Sequence, residues 1–345
     1  MSPTVANHAA PAASHPSPRA RSAAGTQPAI TADGLVKTYH LRGHRNGIRA
    51  LDGLSITVAR GTVFGLLGPN GAGKSTTIKI LTTLARPDSG TAAVAGLDVL
   101  KRPEQVRRVI GVVAQKSGSD PMATGRENLI LQGHLFGMRG EAVKARADEL
   151  LERFDLAGAA GRLVKTCSGG MQRRLDVALG LVHRPQVLFL DEPTAGLDPE
   201  ARSAMWREIA RLSGGEGMTV LLTTHYMEEA DKLCDRLAIM DHGKVLALDT
   251  PAELKRSVGA DTIVTVKATG DTQQLADAFT ERLEGLTRTR QIPDGVELQI
   301  HGSERLVPRV VEAAEAAGFS LADLSVTEPT LETVFIGLTG EELRD

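Results

Sequence analysis

Short apolar runs alternate with amphipathic stretches over residues 30–248, and this pattern indicates an α/β domain. Val63–Leu67, residues 187–190 and Thr219–Thr224 are largely apolar, as expected of strands buried in a parallel sheet. Residues 75–84 predict a helix that begins shortly after the first of these strands. The sequence therefore predicts strands followed closely by helices, the arrangement of an α/β fold.

The pattern changes to a helical period between residues 121 and 163. Apolar residues recur there at i, i+4, i+7, i+8 and i+11, which places them on one face of a helix. The residues of this face are Val143, Ala147, Leu150, Leu151 and Phe154. Charged residues fill the remaining positions: Lys144, Arg146, Asp148, Glu149 and Glu152. We therefore expect a helical subdomain over about residues 116–170.

A different pattern follows residue 252, with short strands and helices in the order β-α-β-β-α-β, that of a ferredoxin-like module. The predicted elements are strand 262–268, helix 272–283, strands 287–292 and 295–301, helix 304–316 and strand 320–326. The chain is thus expected to comprise a disordered tail at 1–29, an α/β domain at 30–256 and a small α+β domain at 257–345.

The amino-acid composition limits which classes of protein this chain can belong to. The 345 residues are 41% hydrophobic and 24% charged, which is typical of a soluble globular protein. A net charge of −2 provides no global positive field, so no nucleic-acid partner is expected. Cys167 and Cys234 make no disulfide framework, which indicates a reducing compartment. No apolar run reaches the roughly 18 residues of a membrane-spanning helix, so any work on a membrane would require a separate partner.

Residues 68–75, GPNGAGKS, match G-x-x-x-x-G-K-[ST], the loop that cradles nucleotide phosphates. The loop follows a predicted strand and precedes a predicted helix, which is the context that this motif requires. Its glycines leave backbone N–H groups open to phosphate, and the N-terminus of the helix favours an anion. Lys74 is therefore expected to reach the β- and γ-phosphates, and Ser75 to bind Mg²⁺.

Two acidic residues and a histidine follow predicted strands at the same edge of the sheet. Asp191 comes directly after residues 187–190 and suits a magnesium ligand. Glu192 is next and is placed to polarise the water that attacks the γ-phosphate. His225 follows Thr219–Thr224 and is placed to hold that phosphate. A helix-capping turn at Asp191 and a structural role for His225 are the alternatives.

Ser168, Gly169 and Gly170 precede a further predicted helix. A serine and two glycines at the start of a helix make a second anion site. An ordinary helix N-cap explains the same residues equally well, so the residues alone leave both interpretations open.

The ordered set of motifs resembles the ATP-binding cassette superfamily over residues 30–248. The loop at 68–75 is similar to the Walker A motif, residues 188–191 to Walker B, and Glu192 to the catalytic glutamate. Gln115 is similar to the Q-loop glutamine, a catalytic and magnesium-binding position, and His225 to the switch histidine. The resemblance implies a P-loop NTPase cassette, in which a parallel-sheet core carries antiparallel β and helical subdomains.

The resemblance also implies the site residues and the cofactors, ATP and Mg²⁺. Nucleotide contacts are expected from Tyr39, Gly68, Pro69, Asn70, Gly71, Ala72, Gly73, Lys74, Ser75 and Thr76. Magnesium ligands are expected from Ser75, Gln115 and Asp191. The signature loop corresponds to Ser168, Gly169, Gly170 and Gln172, and the D-loop to Asp198.

Two positions depart from the family's usual signature. Cys167 stands where leucine is usual, and Met171 intervenes before Gln172, but the serine and the glycines are kept. Near the C-terminus, residues 328–335, EPTLETVF, resemble the ATPases of daunorubicin-resistance-type exporters. In that family the ATPase is a chain separate from the membrane permease.

The resemblance implies a homodimer in which each ATP lies between the Walker A loop of one chain and the signature loop of the other. Such a dimer would act at the cytoplasmic face of the membrane, peripherally, and power a separate permease that exports an antibiotic-like compound. One alternative is a cassette ATPase that never meets a permease. The other is a nucleotide-dependent regulatory module that hydrolyses little ATP.

Overall fold

A computed structural model describes residues 27–40, 47–257, 262–268, 271–301, 305–327 and 329–339. The strands are β1 Ile30–Tyr39, β2 Ile48–Val58, β3 Val63–Leu67, β4 Ser89–Val94, β5 Leu97–Asp98, β6 Ile110–Val113, β7 Val187–Asp191, β8 Thr219–Thr224, β9 Arg236–Asp241, β10 Lys244–Asp249, β11 Thr262–Ala268, β12 Leu286–Ile292, β13 Gly295–Ile300 and β14 Leu321–Thr327. The α-helices are α1 Lys74–Leu81, α2 Pro103–Val109, α3 Gly125–Leu135, α4 Glu141–Arg153, α5 Gly169–Leu181, α6 Pro199–Glu216, α7 Met227–Leu233, α8 Pro251–Ser257, α9 Thr272–Arg282, α10 Leu306–Ala316 and α11 Leu331–Thr339.

The central sheet has the strand order β10-β9-β3-β8-β7-β6 and is parallel from β9 to β6. Strand β3 is buried along its whole length, as are β8 and all but the last residue of β7. Leu67 pairs with Thr224, and Asp191 pairs with Thr223, so β3, β7 and β8 end at one edge. The predicted parallel α/β core is confirmed, and this edge positions the site.

A second sheet, β2-β1-β4-β5, is antiparallel and packs against one face of the central sheet. Its buried side chains, among them Leu35, Leu51 and Ile56, share a core with Phe64 of β3 and Ile78 of α1. The predicted tail at 1–29 lies outside the described residues except for residues 27–29. Ala29 is already part of the fold, because it is buried and its N–H donates to the Val58 carbonyl.

The helical subdomain contains α3, α4 and α5, which pack on one another. The predicted apolar face of α4 is confirmed, since all five of its residues are buried. Arg146 differs from the expectation of an exposed charged side chain, because it is also buried. Its guanidinium donates to the carbonyls of Leu181 and Val182, where α5 ends. The last carbonyls of a helix lack partners within it, and Arg146 supplies donors to them.

The C-terminal strands β11 to β14 form a third sheet, antiparallel throughout, with the order β12-β13-β11-β14. Helices α9 and α10 cover one face, and residues such as Val264, Phe279 and Leu298 make a separate core. The predicted element order β-α-β-β-α-β is present. Helix α11 then packs on α7 and α8, and its Phe335 belongs to the core of the cassette. The domain boundaries stay a prediction, but the final helix contacts the larger body.

Candidate active site

The glycine-rich loop joins β3 to α1 at the sheet edge. Gly73, the N-cap of α1, has a φ of 102°, a conformation that residues with a Cβ adopt only with strain. A Cβ at Gly68 would lie 2.2 Å from the carbonyl oxygen of Met240. The backbone therefore follows a path that only glycine permits at both positions, and it presents N–H groups at the start of α1.

Lys74 is buried within this loop. Its ammonium donates to the carbonyl oxygens of Gly68 at 2.6 Å and of Pro69 at 3.0 Å. Burial lowers the pKa of Lys74, and the carboxylates of Glu192 and Asp191 act in the opposite direction. A cation held by backbone carbonyls at the start of a helix is suited to bind the phosphates of a nucleotide.

Asp191 and Ser75 meet beside the loop. The hydroxyl of Ser75 donates to Asp191 Oδ1 at 3.2 Å, and the hydroxyl of Thr223 donates to the same oxygen at 2.6 Å. Thr223 reaches it because β7 and β8 are neighbours in register. Within the described residues there is no group of three or more His, Cys, Asp or Glu that could hold a metal. The pair offers one hydroxyl and one carboxylate, which suits a cation that takes its other ligands from phosphate and water.

Glu192 lies between Gln115 and His225. Its Oε2 accepts a hydrogen bond from Gln115 Nε2 at 3.0 Å, and its Oε1 lies 3.4 Å from His225 Nδ1. The backbone of Glu192 has a φ of 49°, and its N–H donates to the carbonyl and to the hydroxyl of Thr223. The structure thus brings together three side chains that lie far apart in the sequence, between positions 115 and 225.

Ser168 caps the N-terminus of α5. Its Oγ accepts a hydrogen bond from the N–H of Met171 at 3.3 Å. Ser168 and Gly169 are exposed, so the start of this helix is open to another molecule. Gln172 is used within its own segment, where its amide donates to the carbonyls of Val164 and Cys167. The N-cap interpretation is therefore realised in the single chain, and it leaves the helix start accessible.

Comparison with known proteins identifies the arrangement. The family model described as ABC transporter matches residues 51–195. The daunorubicin resistance ATP-binding protein DrrA3 of Streptomyces coeruleorubidus is 46% identical over 92% of this chain and 97% of its own length. The chain belongs to the ABC transporter ATP-binding proteins of the daunorubicin-resistance type.

More distant relatives support the same family and fold. The linearmycin resistance ATP-binding protein LnrL of Bacillus subtilis (strain 168) is 38% identical over 85% of this chain and 94% of its own length. Among solved structures, the dimeric ATP-binding cassette MJ0796 in a post-hydrolysis state bound to ADP and Pi superposes with a TM-score of 0.59. It is 26% identical and covers 64% of this chain and 98% of its own. The P-loop cassette fold of this ABC ATPase is thereby confirmed.

Two other predicted site residues of the ABC ATPase lie at element ends. Tyr39, the last residue of β1, is half-buried, and the ammonium of Lys37 lies 5.5 Å from its ring centroid. Asp198 caps α6, where its carboxylate accepts a hydrogen bond from the N–H of Ala201 at 2.9 Å. Their roles as adenine-stacking and D-loop residues stay predictions.

Three buried charged residues near the site were missed from the sequence: Arg173, Asp176 and Glu229. Arg173 and Asp176 lie on α5, and Glu229 lies on α7, which begins shortly after His225. The carboxylate of Glu229 accepts hydrogen bonds from Thr194 at 2.8 Å and from Trp206 at 3.2 Å. The sequence shows only that charged residues lie within these predicted helices, which by itself does not indicate what the side chains bind.

The substitution Glu229→Gln is expected to change how stability depends on pH. Burial raises the pKa of Glu229 above its ordinary value. Between the unfolded and folded pKa values the folded chain binds more protons, so stability falls as the pH rises through this window. Glutamine keeps the accepting oxygen but does not ionise. The melting temperature of Glu229→Gln, relative to wild type, should therefore increase from low to neutral pH.

Thermal unfolding from about pH 4 to pH 8 measures this effect, since the window opens near the unfolded pKa of a glutamate. Glu228→Gln is the matched control, because Glu228 is the neighbouring residue and its side chain is exposed. Equal pH dependence in wild type and in Glu229→Gln would contradict the prediction.

Proposed function

We propose that this ABC ATPase acts as a homodimer with two composite ATP sites and drives export of an antibiotic-like compound through a separate permease. The convergence of Gln115, Glu192 and His225 at the edge that carries the glycine loop supports a hydrolytic site. The relatives named for daunorubicin and linearmycin resistance support export. Among the described residues, none of the helices has the length and hydropathy of a membrane span.

Nucleotide binding is assigned to the loop and to the start of α1. The backbone N–H groups and the Lys74 ammonium would hold the phosphates, and the half-buried ring of Tyr39 would stack on the base. Ser75 and Asp191, whose oxygens lie 3.2 Å apart, would hold Mg²⁺ with Gln115. When bound, the cation neutralises charge that develops on the phosphate oxygens.

Glu192 is assigned as the general base. One of its carboxylate oxygens takes a proton from the water that attacks the γ-phosphate. Gln115 donates a hydrogen bond to one of the two oxygens, which orients the carboxylate, and His225 lies beside the other oxygen. His225 is also placed to contact the γ-phosphate, as its position at the end of β8 allows.

The homodimer assignment depends on α5. An exposed serine-capped helix start presents free N–H groups and a favourable dipole to a second molecule. The MJ0796 cassette with ADP and Pi is dimeric. In the proposed dimer, Ser168, Gly169 and Gly170 of one protomer would contact the nucleotide bound to the loop of its partner, at the cytoplasmic face of the membrane.

The substitution Lys74→Ala tests this function. It removes the charge in the phosphate cradle, so ATP hydrolysis by the purified protein should fall by about 100-fold or more. ATP-dependent uptake of daunorubicin should be lost in inside-out vesicles that contain the membrane protein co-purifying with this chain. Lys79→Ala is the control, because Lys79 is exposed on the same helix.

Two outcomes contradict the proposal. If the wild-type protein hydrolyses ATP but retains no membrane protein, the chain is a cassette ATPase that works without a permease. If it binds ATP but scarcely hydrolyses it, the regulatory alternative is correct.

A further inference from the structure

A buried guanidinium on α5 joins the segments that carry Glu192 and Gln115. Arg173 is 7% exposed and lies on the second turn of the helix. Its Nε donates to the Pro193 carbonyl at 2.8 Å, and its Nη2 donates to the carbonyls of Asp191 and Glu192, both at 3.0 Å. Its Nη1 donates to the Ala114 carbonyl at 2.6 Å. One side chain therefore binds three successive carbonyls at the catalytic segment and the carbonyl that precedes Gln115.

The backbone that Arg173 holds is strained. Glu192 has a φ of 49°, in the left-handed region, which a residue with a Cβ adopts only with strain. Such a conformation persists only when its surroundings determine it. The N–H of Glu192 is held by Thr223, and the carbonyls on both sides are held by Arg173. Together these contacts determine the direction in which the carboxylate leaves the backbone.

Asp176 holds the other side of Gln115. It lies on the same helix three positions after Arg173, and its carboxylate accepts a hydrogen bond from the Ser117 hydroxyl at 2.7 Å. Helix α5 thus holds the chain both before and after Gln115. The same helix begins at Ser168, the residue assigned to meet the partner's nucleotide.

We propose that Arg173 is a positioning residue for ATP hydrolysis, which holds the Glu192 carboxylate and Gln115 in reactive alignment. This proposal depends on the assignment of Glu192 as the base. The hydrogen bonds of Arg173 go to backbone carbonyls of the catalytic segment and of Ala114, and none goes to the loop at 68–75. Its loss should therefore impair the chemical step far more than nucleotide binding.

The variants Arg173→Gln and Arg173→Lys test this role. Lysine keeps the charge, but its point-like ammonium does not reproduce the planar fork that spans four carbonyls. The kcat of ATP hydrolysis should fall by about 10- to 100-fold in Arg173→Gln and by less in Arg173→Lys, and the KM for MgATP should change less than about twofold. In the Glu192→Gln background, Arg173→Gln should lower kcat little further, because both changes act on one catalytic group.

Arg146→Gln is the matched control. Arg146 is also 7% exposed and also donates to backbone carbonyls, but these belong to Leu181 and Val182, at the end of α5 far from Ser168. This variant should lower the melting temperature and leave kcat per folded molecule unchanged. If Arg173→Gln does not fold, the kcat and KM of Arg173→Lys decide the question.

The outcomes of these assays distinguish the role of Arg173 from the role of Glu192. Unchanged kcat in the Arg173 variants, alongside a large loss in Glu192→Gln, overturns this inference alone. A KM that rises in proportion to the loss of activity, or an equal loss of kcat in Arg146→Gln, also overturns it. A normal rate in Glu192→Gln would instead contradict the proposed role of Glu192.

Discussion

Glu192→Gln is expected to lower ATP turnover by about three orders of magnitude while ATP binding is retained. General-base catalysis contributes about 10²- to 10⁴-fold, and an amide does not accept the proton. Glutamine has the same shape, so the contacts with Gln115 and His225 are disturbed little. The loop and Lys74 are unaltered, so affinity for nucleotide should stay near that of wild type.

Steady-state hydrolysis and the binding of a fluorescent ATP analogue measure the two quantities separately. With MgATP present, size-exclusion chromatography should show the variant as a persistent dimer, because hydrolysis no longer removes the γ-phosphate. Glu141→Gln is a control at an exposed residue of α4. A rate near that of wild type in Glu192→Gln would mean that another group activates the water.

The edge of the central sheet was predictable because parallel strands place their carboxyl ends together. Three apolar runs, each followed by a residue with a functional side chain, were enough to predict that Lys74, Asp191 and His225 lie at the same edge of the sheet. The end of α1 was predicted less well: the helix ends at Leu81, not at residue 84. Thr83 has a φ of 66°, so the helix does not continue through it.

The buried positions of Arg146 and Arg173 were not predictable from local pattern. Arg146 was expected on a charged face, and Arg173 was not expected to have any role. Both donate to backbone carbonyls in distant segments, 59 positions away for the bond from Arg173 to Ala114. Periodicity describes which residues are charged, but it carries no information about carbonyls that tertiary packing brings alongside them. Such residues become visible only when the fold is known.

Ser168 shows a different limit of prediction from sequence. The N-cap and anion-site interpretations predicted the same serine and glycines, and the structure has the cap. The cap does not exclude the second role, because Ser168 is exposed at the start of the helix. What separates the two interpretations is whether the residue is needed by the site of another chain, and an experiment on mixed dimers addresses this directly.

Ser168→Arg and Lys74→Ala should each abolish ATP hydrolysis alone, and an equal mixture of the two should recover about a quarter of the wild-type rate. In the proposed dimer a mixed pair has one site with both defects and one site with neither. Random assortment makes about half of the dimers mixed, and each has one of two sites intact. In Ser168→Arg, the arginine side chain blocks the start of α5 by its size and repels Lys74 across the site. Each pure variant carries its defect in both sites of the dimer.

Mixing Lys74→Ala with Glu192→Gln is the control for this experiment. Both residues lie on the loop side of the site, so a mixed dimer of these variants has no intact site and should not recover activity. Subunits should be exchanged in the absence of nucleotide and assayed after MgATP is added. If Ser168→Arg with Lys74→Ala recovers no more activity than this control, each chain completes its own site, and the exposed start of α5 is an N-cap and nothing more.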